Sequence, residues 1–178
     1  MGKTFFIADT HFGHQHVIEY EHRPYRSVEE MDQDMITRWN NIVSDEDTVY
    51  FLGDFAFGSA SYAATVLAQL NGRKLLCRGN HDFRKSNDWW MSKGFSGTLT
   101  EGFSKEAAYL FERDGMKILL SHFPLDHPAH FNVHGHVHTH TEGINQRNHL
   151  CISVEHINYQ PISWEALKQR ILQIQQEE

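Results

Sequence analysis

Apolar and polar positions fall in blocks along this chain, and each block carries its own period. Residues 3–8, KTFFIA, form a continuous apolar-rich run of strand length that stops at Asp9-Thr10-His11. Residues 27–43, SVEEMDQDMITRWNNIV, place apolar side chains at Met31, Met35 and Trp39 or Ile42 behind a capping box of Ser27 and Glu30, which predicts a helix with Met35 and Trp39 on its core face. DTVYFLGD (47–54) predicts a second strand, and SASYAATVLAQLNG (59–72) a helix stopped by Asn71-Gly72. RKLLCRGNHD (73–82) predicts a third strand. Strand, helix, strand, helix, strand implies a parallel sheet with helical crossovers.

The second half changes character. YLFERDGMKILLSH (109–122) predicts two strands around an Asp114-Gly115 turn, and FNVHGHVH (131–138) and HLCISVE (149–155) read as further strands. SWEALKQRILQIQQ (163–176) is a closing helix with Ser163 as its cap. The expectation is one α/β domain over residues 1–178 with a mixed second sheet.

Composition narrows the class. The chain has 178 residues, with hydrophobic content of 40% and charged content of 22%, as in ordinary globular proteins. A formal net charge of −7 and no long basic run give a field that repels nucleic acid, so nucleic acid is not the expected partner. No apolar stretch reaches membrane-spanning length, MGKTFFIADT lacks a signal-peptide core, and Phe6 spoils the myristoylation pattern. Cys77 and Cys151 sit in or beside apolar runs, which predicts buried reduced thiols and a cytoplasmic address. Fourteen histidines are the compositional outlier and point to metal or proton chemistry.

Ligands of open α/β sheets bind beyond the carboxyl ends of the strands. Successive runs here end in Asp9 and His11, in Asp54, in Asn80, His81 and Asp82, in His122, and in His136 and His138. Each taken singly reads better as a turn, a cap or a polar loop, but their joint occurrence in this order does not. The series Asp9-x-His11, Gly53-Asp54, Gly79-Asn80-His81-Asp82, His122 and Gly135-His136-x-His138 resembles the calcineurin-like metallophosphoesterase family. Flanking text such as ADTHFGH, RPY, WNNIV, LGDFAFG and YQPISWEAL resembles its small bacterial and phage branch.

The resemblance implies a four-layer α/β/β/α sandwich, two mixed sheets flanked by helices. It also implies hydrolysis of phosphomonoesters or phosphodiesters of small molecules. It places two divalent transition-metal ions, manganese before iron or zinc, with Asp9, His11, Asp54 and His138 on one. Asp54 bridges to the other, which Asn80, His122 and His136 complete. Such a pair acidifies a bridging water and stabilises in-line displacement, and its excess positive charge over two carboxylates draws a phosphoryl group. His81 matches the family's catalytic histidine, assisting the leaving group. Asp82 reads equally as the carboxylate orienting that ring or as a helix N-cap.

Asn80 is also a candidate substrate contact. His14 reads as a pocket residue or a backbone-bonded turn residue, and Arg23 as a phosphate contact or a structural arginine. His127 and His130 lie in a loop near the site, and Glu155 stands where the branch more often has Asp, its role open. An extended backbone would send each i, i+2 pair, Asp9 with His11 and His136 with His138, to one face. His134 to His140 would span about 20 Å if extended, whereas paired ions sit about 3.5–4 Å apart, so only two of the four alternate histidines can serve. The Gly-His-x-His pattern selects His136 and His138, leaving His134 and His140 as flanking residues. The rival function is a non-catalytic metal-binding interaction module on the same fold.

Overall fold

A computed structural model describes residues 2–176. Strands β1 (Thr4–Ile7), β2 (Thr48–Phe51), β3 (Arg73–Leu76) and β4 (Gly97–Thr98) run parallel, and β9 (Ile162–Ser163) pairs antiparallel with β1, giving the order β4-β3-β2-β1-β9. The second sheet, β5-β6-β7-β8, joins β5 (Ala108–Arg113) antiparallel to β6 (Met116–Ser121). β7 (Phe131–His134) and β8 (His149–Cys151) then add in parallel. Two mixed sheets flanked by helices are therefore the architecture, as the resemblance implies.

The crossover helices are α2 (Val28–Ile42) between β1 and β2, and α3 (Ala60–Leu67) between β2 and β3. Ser27 Oγ accepts from Glu30 N at 3.2 Å and caps α2. Met31, Met35 and Trp39 are buried, and Trp39 stacks on Phe51 of β2 at 6.4 Å. Between the sheets, Phe6 of β1 meets Phe111 of β5 edge-on at 5.2 Å, and Trp164, which opens α5 (Trp164–Gln176), lies 5.2 Å from Phe111. Asp114 and Gly115 both have positive φ, the conformation a two-residue hairpin demands, so the Asp-Gly signal lands where β5 turns into β6.

The regular elements stop earlier than the apolar runs predict. β3 ends at Leu76 rather than Asp82, and β7 ends at His134 rather than His138. β8 ends at Cys151, after which Ser153 bridges to Ala8 and Val154–His156 close a 3₁₀ turn. The candidate ligands after β3 and β7 therefore lie in loops. Two short helices escape the apolar pattern: α1 (Gln15–Tyr20), capped by His14, and α4 (Asn87–Lys93), capped by Ser86. The two-residue strands β4 and β9 are too brief to show a period. No helix of the described residues is long and apolar enough to cross a membrane.

Candidate metal centre

The loop after β1 and the loop after β2 continue side by side beyond their strands. Asp9 N donates to Gly53 O at 3.0 Å, His11 N to Asp54 O at 3.0 Å, and Phe12 N to Phe55 O at 2.9 Å. The loop after β7 joins through Gly135 N to His122 O at 3.0 Å and His136 N to the Asp9 carboxylate at 2.9 Å. Asp9, His11, Asp54, His136 and His138 all have positive φ, between 48° and 69°. The expectation that extended backbone aims the i, i+2 pairs is therefore wrong. Left-handed backbone turns the chain at these five positions, a strained arrangement that costs of order 1–3 kcal/mol per residue and gathers at functional sites.

Two motif glycines make the convergence possible. A Cβ on Gly79 would overlap the Asp54 carboxylate, and one on Gly135 would overlap Asp9 Oδ2 and the Ala8 side chain. Each motif thus leaves room for the carboxylate of another.

Asp9, His11 and His138 bring one ligand atom each within 4.8 Å of one another; Asp54, His122 and His136 do the same, as do His11, Asp54 and His81. Asp54 Oδ2 lies 3.6 Å from His11 Nε2 and 3.5 Å from His122 Nε2, so it stands between two groups. Asn80 Oδ1 is 3.0 Å from His122 Nε2, and His81 Nε2 is 4.0 Å from Asp54 Oδ2. His122 Nδ1 faces the Leu52 carbonyl at 2.8 Å, which accepts only, so the proton sits on Nδ1 and Nε2 offers a lone pair. Asp9 Oδ1 and both nitrogens of His11 are buried without hydrogen-bond partners. Orphaned carboxylate and imidazole atoms pointed at one place are what a bound cation satisfies, and mixed imidazole, carboxylate and amide donors suit transition metals.

Without a cation the electrostatics are unfavourable. Burial pushes Asp9 up to about 8, with the Asp54 charge adding and His138 and Ser153 opposing. Burial also raises Asp54, and it takes His122 down to about 3 and His136 to about 4. His138 is the exception: burial opposes its charge, but the hydrogen bond to Glu155 and the Asp9 carboxylate lift it to about 9.

Glu155, whose role the sequence left open, supports two elements of the site. Its oxygens lie 3.1 and 3.2 Å from His138 Nδ1, leaving Nε2 to face the cluster, and it accepts from Arg23 Nε at 2.8 Å. Arg23 is not a substrate contact. It is buried, and its Nη2 donates to Asp9 O at 2.8 Å while Nη1 donates to Thr10 O at 2.9 Å, bracing the first ligand loop. Asp82 neither orients the His81 ring nor caps a helix. Fully buried, it accepts backbone N–H bonds from Asp54 at 2.6 Å, Gly79 at 2.9 Å and Phe55 at 3.1 Å, binding the β2 loop to the β3 loop. Burial and the Asp54 charge raise it to about 7.

His14 takes both readings: Nδ1 accepts from Val17 N at 2.9 Å as the α1 cap, and its ring lies 5.6 Å from His11 and 6.0 Å from His81. His134 is buried beside the cluster with Nδ1 on Gly135 O, whereas His140 is exposed near Glu21. His127 and His130 stack on each other at 4.7 Å in the loop after β6 and are outside the ligand groups. Sequence reasoning missed Ser153, whose Oγ donates to Asp9 Oδ2 at 2.5 Å, because a lone serine after a strand carries no signal.

The calcineurin-like phosphoesterase family model matches residues 2–170. An uncharacterized protein, MJ1445, of Methanocaldococcus jannaschii is 36% identical over 178 residues, covering 94% of this chain and 90% of its own length. The Gene 66 protein of Mycobacterium phage L5 is 29% identical over 166 residues, covering 78% and 79%. Among solved structures, AQ665 of Aquifex aeolicus, a protein of unknown function, superposes with a TM-score of 0.74 at 25% identity, over 96% of this chain and 100% of that one. The five motifs, the layered sheets and these likenesses agree: the chain belongs to the calcineurin-like phosphoesterase family.

Proposed function

We propose that this protein is a hydrolase that cleaves small phosphoesters with two divalent transition-metal ions, manganese, iron or zinc. The observation that carries the reading is Asp54 Oδ2 lying 3.6 Å from His11 Nε2 and 3.5 Å from His122 Nε2, with Asp9 Oδ1 and both His11 nitrogens buried and unpartnered. Asp9, His11, Asp54 and His138 would hold one ion; Asp54, Asn80, His122 and His136 the other. Two such ions acidify water and offset charge on the phosphoryl oxygens.

The chain's own residues supply the rest. Leu52 O fixes the His122 tautomer and Glu155 fixes His138, so both rings present Nε2 without rearrangement. His81 is exposed at the mouth and makes no side-chain hydrogen bond within the described residues, which frees it to give a proton to the leaving oxygen. Its backbone N–H donates to Asp54 Oδ1 at 2.8 Å, which keeps the ring near the same carboxylate. Buried, unpaired Cys77 and Cys151 fit a cytoplasmic protein.

The test is metal analysis of the purified protein together with turnover of a chromogenic phosphomonoester and diester in manganese. Asp54→Asn is expected to lower metal occupancy, and His81→Ala to keep metal and lose rate. Two bound ions with no turnover in any metal would favour the interaction-module reading, and full activity in both variants would refute the site.

A further inference from the structure

A cleft of about 680 Å³ opens beside His81 and Asn80, between the loop after β2 and the segment from β3 to α4. Its walls are aromatic and its rim is basic: Phe57, Phe83 and Trp89 line it, with Arg84 and Lys85. Phe57 and Phe83 are 49% and 46% exposed, two of only six large apolar side chains so exposed among the described residues. Phe57 lies 5.8 Å from the His81 ring, and Phe83 rests on Phe103 at 5.1 Å. Lys85 Nζ sits 5.2 Å from the Trp89 ring centre, which holds a cation at the cleft wall. Arg78 braces the loop by donating to the Phe83 and Lys85 carbonyls. Arg84 and Lys85 thus give the cleft a basic side in a chain whose net charge is −7.

We propose that this cleft receives a nucleoside, so that the substrate is a small nucleotide phosphoester whose leaving alcohol is a nucleoside hydroxyl. The inference rests on the phosphoesterase reading above. Exposed aromatic faces flanking a proton-donating histidine suit a flat leaving group, because any base can stack on them. The volume suits one nucleoside and its sugar. Arg84 and Lys85 complement the remaining phosphate charge, while the net charge of −7 disfavours a long polyanion. In the reaction, water oxygen bonds to phosphorus, the bond from phosphorus to the nucleoside oxygen breaks, and the leaving oxygen takes a proton from His81. The His81 proton is restored from the attacking water.

Binding and turnover test this separately. Adenosine, which has no phosphate, is expected to quench tryptophan fluorescence of the purified protein, and ribose is not. Phe57→Ala and Phe83→Ala, at side chains about half exposed and so outside the core, are each expected to weaken adenosine roughly ten-fold. In turnover with manganese, kcat/KM for adenosine monophosphate is expected to exceed that for ribose 5-phosphate roughly ten-fold, and Phe83→Ala to shrink that ratio. Adenosine monophosphate against an adenosine dinucleotide tells a free nucleotide from an oligonucleotide end as the source.

Adenosine binding without turnover of any phosphoester would support the cleft and refute the phosphoesterase reading. Turnover with no adenosine quenching, or with an adenosine-to-ribose ratio near one, would overturn the cleft assignment and leave the enzyme. A long single-stranded DNA outcompeting both small nucleotides would overturn it as well.

Discussion

Replacing Glu155 by alanine removes a side chain that lies outside the five motifs. In the structure its carboxylate is buried, lies 2.7 Å from the fully buried Arg23 Nη2, and also bonds His138 Nδ1. The loss leaves the Arg23 cation buried with the Asp9 and Thr10 carbonyls and the Met31 sulfur, none of them charged. Breaking a buried pair by removing one partner costs about 3–5 kcal/mol. At roughly 2–4 °C per kcal/mol for a chain of this size, the melting temperature should fall by roughly 6–20 °C. His138, no longer held by its Nδ1 bond, should weaken metal affinity about 10–100-fold.

The stability effect is read by urea denaturation in EDTA, which removes the metal contribution, and the affinity by competition with a chelating dye. Because the pair is buried, the loss should persist in high salt, where a surface pair would be screened. Glu155→Gln keeps one acceptor oxygen that Arg23 and His138 can share but loses the charge, and should fall between the wild type and Glu155→Ala. A loss below about 1 kcal/mol in EDTA, with metal affinity within two-fold, would refute the role given to Glu155.

Three further outcomes follow from the same geometry. Metal-stripped protein should lose stability between pH 6.5 and about 9, because Asp9 at about 8, Asp82 at about 7 and His138 at about 9 retain protons in the folded state that the unfolded chain has released. The depressed histidines His11, His122 and His136 act in the opposite sense, but only below 6.5, so denaturation in EDTA that showed rising stability over this window would contradict the burial argument. Gly135→Ala forces a methyl into the Asp9 carboxylate and should cost about 1–3 kcal/mol along with metal occupancy, read by melting and metal analysis. Asp82→Ala strands the buried N–H groups of Asp54, Phe55 and Gly79, at about 1–3 kcal/mol each, and should lower both stability and metal content. A loss of rate alone would restore Asp82 to the His81 ring.

Much of the candidate site was legible in the order of residues along the chain. The apolar runs of β1, β2 and β3 and the helical spacing of Met31, Met35 and Trp39 follow local periods, which a linear reading can see. Asp9, His11, Asp54, Asn80, His81, His122, His136 and His138 stand out because each motif pairs a ligand-type side chain with the end of such a run. The glycines of those motifs were legible as punctuation only; their physical reason, room for a carboxylate from a distant loop, needs the fold.

Tertiary structure alone decided the supports. Glu155 lies 132 positions from Arg23, and Ser153 lies 144 positions from Asp9, and no local period links residues so far apart. The same distance explains the error over Asp82, whose neighbour His81 suggested a partner while its oxygens turned to amides up to 28 positions away. The left-handed backbone at Asp9, His11, Asp54, His136 and His138 was equally invisible, because aspartate and histidine adopt it only where surrounding contacts outweigh its cost. Residue order along the chain determined which chemistry was available, whereas contacts between distant segments decided where each atom points, since only the packed chain brings them within hydrogen-bonding distance.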